Sequence, residues 1–158
     1  MILATPPNPV DHISTPLTLG AIAGSPSTAR ASARALLVEW DMASLTESVE
    51  LIVSELVTNA VRVSARYVVP PPVQFRMSAT GFAVLIEVWD CDPRPPVLRQ
   101  PTDLEEGGRG LFLVATTSAR WGWIEFKQGK TVWAEVRESG ELPVPRFTAT
   151  VGKGDRSC

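Results

Sequence analysis

The sequence predicts an α+β fold, a two-layer sandwich in which a mixed, mainly antiparallel sheet carries helices packed on one face. Three observations predict it. Two stretches repeat apolar residues at helical spacing. Two pairs of short stretches alternate apolar with polar residues around tight turns, the pattern of β-hairpins. The elements follow in the order strand, helix, helix, hairpin, loop, helix, hairpin, with no repeat of the solenoid kind. The second sheet face is expected to be partly open unless a partner covers it. A chain of 158 residues fits one domain with a sizeable core.

Residues 1–12 hold several prolines and read as a flexible leader; they lack the basic n-region of a signal peptide. In residues 13–19, Ile13, Thr15, Leu17 and Leu19 alternate with polar or small residues, and Pro16 marks an edge strand. Ser25-Pro26 reads as a helix start, an N-cap serine with proline at the first helical position. Ala29, Ala33, Leu36, Leu37 and Trp40 then define the apolar stripe of a helix over 26–40, with Arg30 and Arg34 off it. Ser44-Leu45-Thr46-Glu47 reads as a capping box opening a second helix that reaches Ser64. Three prolines at 70–72 close it. Val73, Phe75 and Met77, the Thr80-Gly81 turn and the apolar run 82–89 ending at Asp90 form the first hairpin. Residues 93–106 are proline-rich, charged and aperiodic, hence a loop. Gly107-Gly108-Arg109-Gly110 leads into a short helix over 111–118. Residues 121–126 and 131–137 form the second hairpin, and the composition of 139–158 predicts a disordered tail, so the domain proper spans 13–138.

The charge balance and cysteines narrow the function. A net charge of -2 gives no global basic field for nucleic acid. The longest apolar run, 82–89, contains Glu87 and falls far short of the ~20 residues of a membrane helix. The two cysteines, Cys91 and Cys158, do not form a structural pair, which fits a reducing cytoplasm.

Three groups of residues carry candidate chemistry. On a helical wheel with Glu55 at zero, Asn59 falls at roughly 40° and Arg62 at roughly −20°, while the apolar arc runs from roughly 60° to 200°. Glu55 and Asn59 are thus neighbours on the border of the polar face, half-buried but reachable. An Asn oxygen suits Mg²⁺ whose shell is completed by phosphate and water. A carboxylate one turn away can accept a hydroxyl proton. Asp90 ends an apolar strand, where it can accept a hydrogen bond from an exocyclic amine. The glycine turn before the third helix leaves N–H groups free for an anion, and Arg109 adds a fork-shaped donor. Taken singly, each has a plain structural explanation. The remaining candidates are weaker: His12 is expected to be exposed, Cys91 has no histidine partner nearby, Trp121, Trp123 and Trp133 belong to core or sheet faces, and Arg94 and Arg99 are solvated loop charges.

The order of the three groups, Ser54-Glu55-Leu56-Val57-Thr58-Asn59-Ala60-Val61-Arg62, then Val88-Trp89-Asp90, then Gly107-Gly108-Arg109-Gly110-Leu111-Phe112-Leu113-Val114, resembles the GHKL ATPase superfamily with its Bergerat-type ATP-binding fold. More narrowly it resembles the bacterial anti-sigma factor serine/threonine kinases, over about residues 25–137. The resemblance implies ATP and Mg²⁺ as cofactors, Glu55 as general base, Asn59 as Mg²⁺ ligand with Arg62 beside it, Asp90 against adenine, Gly108, Arg109, Gly110 and Leu111 at the phosphates, and Thr131 near the base. It implies a STAS-type anti-anti-sigma protein as phosphoacceptor, a sigma factor as binding partner, and pairing of two copies through the first helix and a sheet edge. Either a kinase or a binding module that keeps ATP as a structural or sensing ligand fits these residues. Departures from the family pattern are Asp92 in place of an Asp-x-Gly glycine, Val63 in place of a common histidine, and a short 93–106 loop. A histidine-kinase catalytic domain is disfavoured, since the only histidine is His12.

Overall fold

The computed structural model describes residues 11–97, 109–138 and 150–153, the side chains of Arg109 and 150–153 excepted. The elements are β1 (His12–Ile13), β2 (Leu17–Leu19), α1 (Ser25–Glu39), a 3₁₀ turn (Ala43–Leu45), α2 (Thr46–Ser64), β3 (Val73–Ala79), β4 (Ala83–Asp90), α3 (Arg109–Thr117), β5 (Arg120–Phe126), β6 (Gly129–Arg137) and β7 (Thr150–Lys153). The strands form one sheet in the order β1-β3-β4-β6-β5-β7, with β2 also paired to β3. Its strand pairs are antiparallel except β5–β7, which is parallel. The fold is therefore the α+β sandwich the sequence predicts.

Strand alternation decides what faces the helices. Phe75 and Met77 of β3, Val84, Ile86 and Val88 of β4, and Val132, Ala134 and Val136 of β6 share one core with α2's Val49, Ile52, Val53, Leu56 and Val57. Each of these side chains larger than alanine, buried fully, stabilises the fold by roughly 1.5–3 kcal/mol. α1 covers α2 with Ala29, Ala33 and Leu37. Arg30 and Arg34, off the apolar stripe, tie the two helices together: Arg30 Nη1 donates to Ser54 Oγ at 2.9 Å, and Arg34 pairs with Glu50 at 2.5 Å. The far sheet face is more closed than expected. Leu85, Trp133 and Glu135 on it are buried, and Glu135 is held by Arg120 and Arg137 at 2.5 Å each. Trp121 and Trp123 join the core on the helix side.

Several local expectations are corrected. The first strand is split into β1 and β2 around Ser14 and Pro16: Ser14 Oγ accepts the Met77 N–H at 2.9 Å, and proline has no N–H to continue the ladder. Ser25 does not cap α1. Gly24 holds that position, and the Ser25 hydroxyl donates instead to the Gly20 carbonyl at 2.6 Å. The capping box at Ser44 does not form either. Residues 43–45 turn as 3₁₀ helix, Leu45 precedes α2 without a side-chain cap, and Ser44 Oγ donates to Glu138 at 2.5 Å across 94 residues of sequence. His12 lies in β1 rather than in a leader, and its exposed ring stacks on Trp40 at 5.5 Å. The tail expected to be disordered includes β7, paired with β5. The other residues of 139–158, the leader up to Val10, and residues 98–108 lie outside the described residues.

Candidate functional site

α2 buries one face, from Val49 to Ala60, and Glu55 and Asn59 lie along the border of that face. Both are half-buried, as the wheel predicts, and Arg62, three positions beyond Asn59 on the same face, is exposed. Asn59, Leu56, Ala60, Arg62 and Val63 form one wall of a cavity of about 480 Å³, a volume in the range of small-molecule sites. Val88 and Asp90 at the end of β4 and Lys130 and Val132 at the start of β6 form the opposite wall. Leu111 of α3 closes one end, and Asp92 and residues 94–97 contribute to the rim.

α3 begins earlier than expected, so Arg109 and Gly110 are its first residues rather than part of a turn. A Cβ at Gly110 would overlap Glu55 Oε2, and would lie 3.4 Å from Glu55 Cδ and 3.6 Å from Asn59 Nδ2. Only glycine lets the start of α3 meet the polar border of α2 this closely. The first N–H groups of a helix have no intrahelical partner, and the macrodipole favours negative charge there. Carboxylate, amide and helix N-terminus are thus brought together, a contact that sequence order alone did not specify. Gly107, Gly108 and the side chain of Arg109 lie outside the described residues.

The other end is built by Asp90 and Lys130, cross-strand partners in the β4–β6 ladder. Both side chains are about 95% buried, and Lys130 Nζ donates to Asp90 Oδ1 at 2.9 Å. The same Nζ donates to the Asp92 carbonyl at 3.0 Å, and the Asp92 N–H donates to Asp90 Oδ1 at 2.9 Å. Burial pushes the Asp90 carboxyl above its ordinary value, against the pull of Lys130. Asp92 in turn accepts the Arg94 N–H at 3.0 Å and the Arg94 guanidinium at 2.6 Å, which hold its carboxyl down at about 2. Two successive side-chain-to-backbone turns, Asp90 to Asp92 and Asp92 to Arg94, therefore shape the segment where glycine was expected. Arg94 is exposed, as expected of a solvated charge, and its guanidinium also pairs with Asp92.

Thr131 is corrected. It pairs with Trp89 in the ladder, and strand alternation sends it to the face away from the helices. Lys130 and Val132 face the cavity instead. Position 130 falls between the predicted strands 121–126 and 131–137, where the sequence reads as turn rather than strand. The signal was present in the alternation: Val132, Ala134 and Val136 are the core face of β6, and position 130 shares their parity.

Residues 22–136 match the family model described as Histidine kinase-like ATPase domain. No curated protein matches the chain. Among the described residues no helix is long and apolar enough to cross a membrane.

Proposed function

The chain belongs to the histidine kinase-like ATPase domain family, and from that premise we propose that it is an ATP-dependent serine/threonine protein kinase of regulatory type. Its acceptor in this reading is a serine or threonine on a STAS-type anti-anti-sigma protein, and a sigma factor is its second partner. The observation that carries the reading is the seating of Gly110 on Glu55 and Asn59. It supplies, at one place, an anion-favouring helix end, a neutral oxygen donor and a carboxylate.

ATP and Mg²⁺ fit the residues present: a cavity with apolar walls at Leu56, Val88 and Val132, a glycine cradle that any Cβ would fill, and a hard amide oxygen beside it. Bound there, the nucleotide supplies the transferable γ-phosphoryl group. Asn59 would hold the metal through its amide oxygen, and the start of α3 would meet the phosphates with backbone N–H groups. Glu55, beside Gly110 and half-buried, is placed to accept the proton of an incoming hydroxyl. Leu56, Val88 and Val132 keep water from the flat face of a base.

The test is phosphotransfer from labelled ATP to candidate STAS-domain proteins. Transfer is expected, and Glu55→Ala is expected to slow it by about 10²–10⁴-fold with ATP affinity retained. Normal ATP binding with no transfer to any acceptor would instead identify a binding module.

A further inference from the structure

The family premise does not explain Lys130. Taking an ammonium out of water costs several kcal/mol even after relaxation, and apolar replacement of a buried ion pair is often neutral or stabilising. Stability is thus a poor reason for a lysine whose side chain is 5% exposed in the wall of the cavity. Counting donors and acceptors gives a better one. An ammonium has three donors. Two of Lys130's are used, by Asp90 Oδ1 and by the Asp92 carbonyl. Asp90 Oδ1 accepts from both Lys130 and the Asp92 N–H, which leaves Oδ2 without a hydrogen bond among the described residues. One donor and one acceptor remain, on adjacent positions of neighbouring strands, both side chains lining the same cavity. The pair is held rigidly, because its strands are joined by ladder hydrogen bonds and its turn by Asp92.

We propose that Lys130 is a specificity-determining residue that reads the nucleobase together with Asp90. Asp90 Oδ2 accepts from the exocyclic amine of a 6-aminopurine, and Lys130 Nζ donates to the ring nitrogen next to that amine. The inference rests on the reading of the cavity as an ATP site and names the residue that selects the base. A 6-oxopurine inverts both contacts: its carbonyl would face the carboxylate, and its ring N–H would face the ammonium. Because the donor–acceptor pair is fixed before binding, little side-chain freedom is lost when the base enters. Lys130 also orients Asp90 through its 2.9 Å hydrogen bond, so it acts both on the base and on the residue beside it.

The experiment titrates the native chain and Lys130→Met with ATP, 1-deaza-ATP, 7-deaza-ATP and GTP. In 1-deaza-ATP a C–H replaces the ring nitrogen that Lys130 contacts; in 7-deaza-ATP the change lies away from that edge. The native chain is expected to bind ATP about tenfold or more tightly than 1-deaza-ATP, the size of a hydrogen bond from a charged donor. It is expected to bind 7-deaza-ATP like ATP, and GTP more weakly than either. Lys130→Met is expected to bind ATP and 1-deaza-ATP within about twofold of one another, having lost that bond. Since the methionine leaves Asp90 buried without its cation, Lys130→Met with Asp90→Asn provides the same comparison in a neutral wall. The native comparison needs no variant. Equal native affinity for ATP and 1-deaza-ATP, or the same preference kept in the Lys130 variants, would overturn the assignment while leaving the ATP site intact. Failure of the native chain to bind any of the four nucleotides would overturn the ATP reading itself.

Discussion

Gly129→Ala is expected to lower the stability of the fold by about 3 kcal/mol or more. Alanine in a strand ordinarily helps, because glycine there loses more backbone freedom on folding. At Gly129 two facts reverse the sign. Its φ is +118°, a backbone conformation that residues with a Cβ rarely adopt. A Cβ would also overlap the Asp90 carbonyl oxygen and lie 2.8 Å from the Trp89 indole. The carbonyl belongs to backbone held in the β4–β6 ladder, so it cannot swing aside as a side-chain tip can. Relief requires β4 and β6 to part where Asp90 meets Lys130, and so the Asp90–Lys130 end of the cavity is expected to fail with the fold. Urea unfolding read by tryptophan fluorescence measures this. A midpoint equal to that of the native chain would show that the turn tolerates a Cβ and that the strands are not fixed there.

Gly110→Ala has the opposite profile, a large functional effect with little effect on stability. Gly110 lies in the first turn of α3, where alanine is the better helix former by roughly 1 kcal/mol. The atom its Cβ would strike is the end of a flexible side chain, Glu55 Oε2, whereas Asn59 Nδ2 at 3.6 Å is in ordinary contact. Glu55 can rotate away, so unfolding is expected to shift by no more than about 1 kcal/mol. The displaced carboxylate no longer faces the start of α3, and misplacement by about 1 Å can cost 10²-fold in rate. Phosphotransfer is therefore expected to fall by about 100-fold or more, with nucleotide binding little changed, as for Glu55→Ala. The clash involves Glu55 alone, so in the Glu55→Ala background Gly110→Ala should add little further loss. A double-mutant cycle reads that coupling directly. Independent, additive effects would mean that the two residues do not act at one place.

The sequence and the structure agree where one residue's environment is set by its own element. The border position of Glu55 and Asn59 follows from the phase of α2, whose apolar arc is unbroken from Val49 to Ala60. Likewise Asp90 shares strand parity with Val84, Ile86 and Val88, and it faces the cavity. Agreement fails where a long-range partner decides. Ser44 has every local feature of a cap, but Glu138, far along the chain, takes its hydroxyl. At Ser25 a local competitor decides instead, the carbonyl of Gly20 five residues earlier. No local pattern announces that Gly110 rests on Glu55, since the two sit on helices 55 positions apart. Thr131 stays off the cavity wall for a different reason: the parity of β6 turns it to the far face and its neighbour Lys130 to the cavity. Trp133 obscured the parity, because a large aromatic residue looks like core and here is buried on the far face.

In the proposed reading the Asp90–Lys130 pair of the cavity meets the base, and Asn59, beside the Gly110–Glu55 contact, meets the metal and phosphates. The central claim is that the helix end of the cavity binds a metal–nucleotide through Asn59. Calorimetric titration of ATP, with and without Mg²⁺, on the native chain and on Asn59→Ala tests it most directly. The native chain is expected to bind ATP about tenfold or more tightly with Mg²⁺ present, and the variant is expected to lose that difference, in line with the loss of a metal contact. Equal Mg²⁺ dependence in the two proteins would contradict the account and reduce Asn59 to an amide on the surface of a helix.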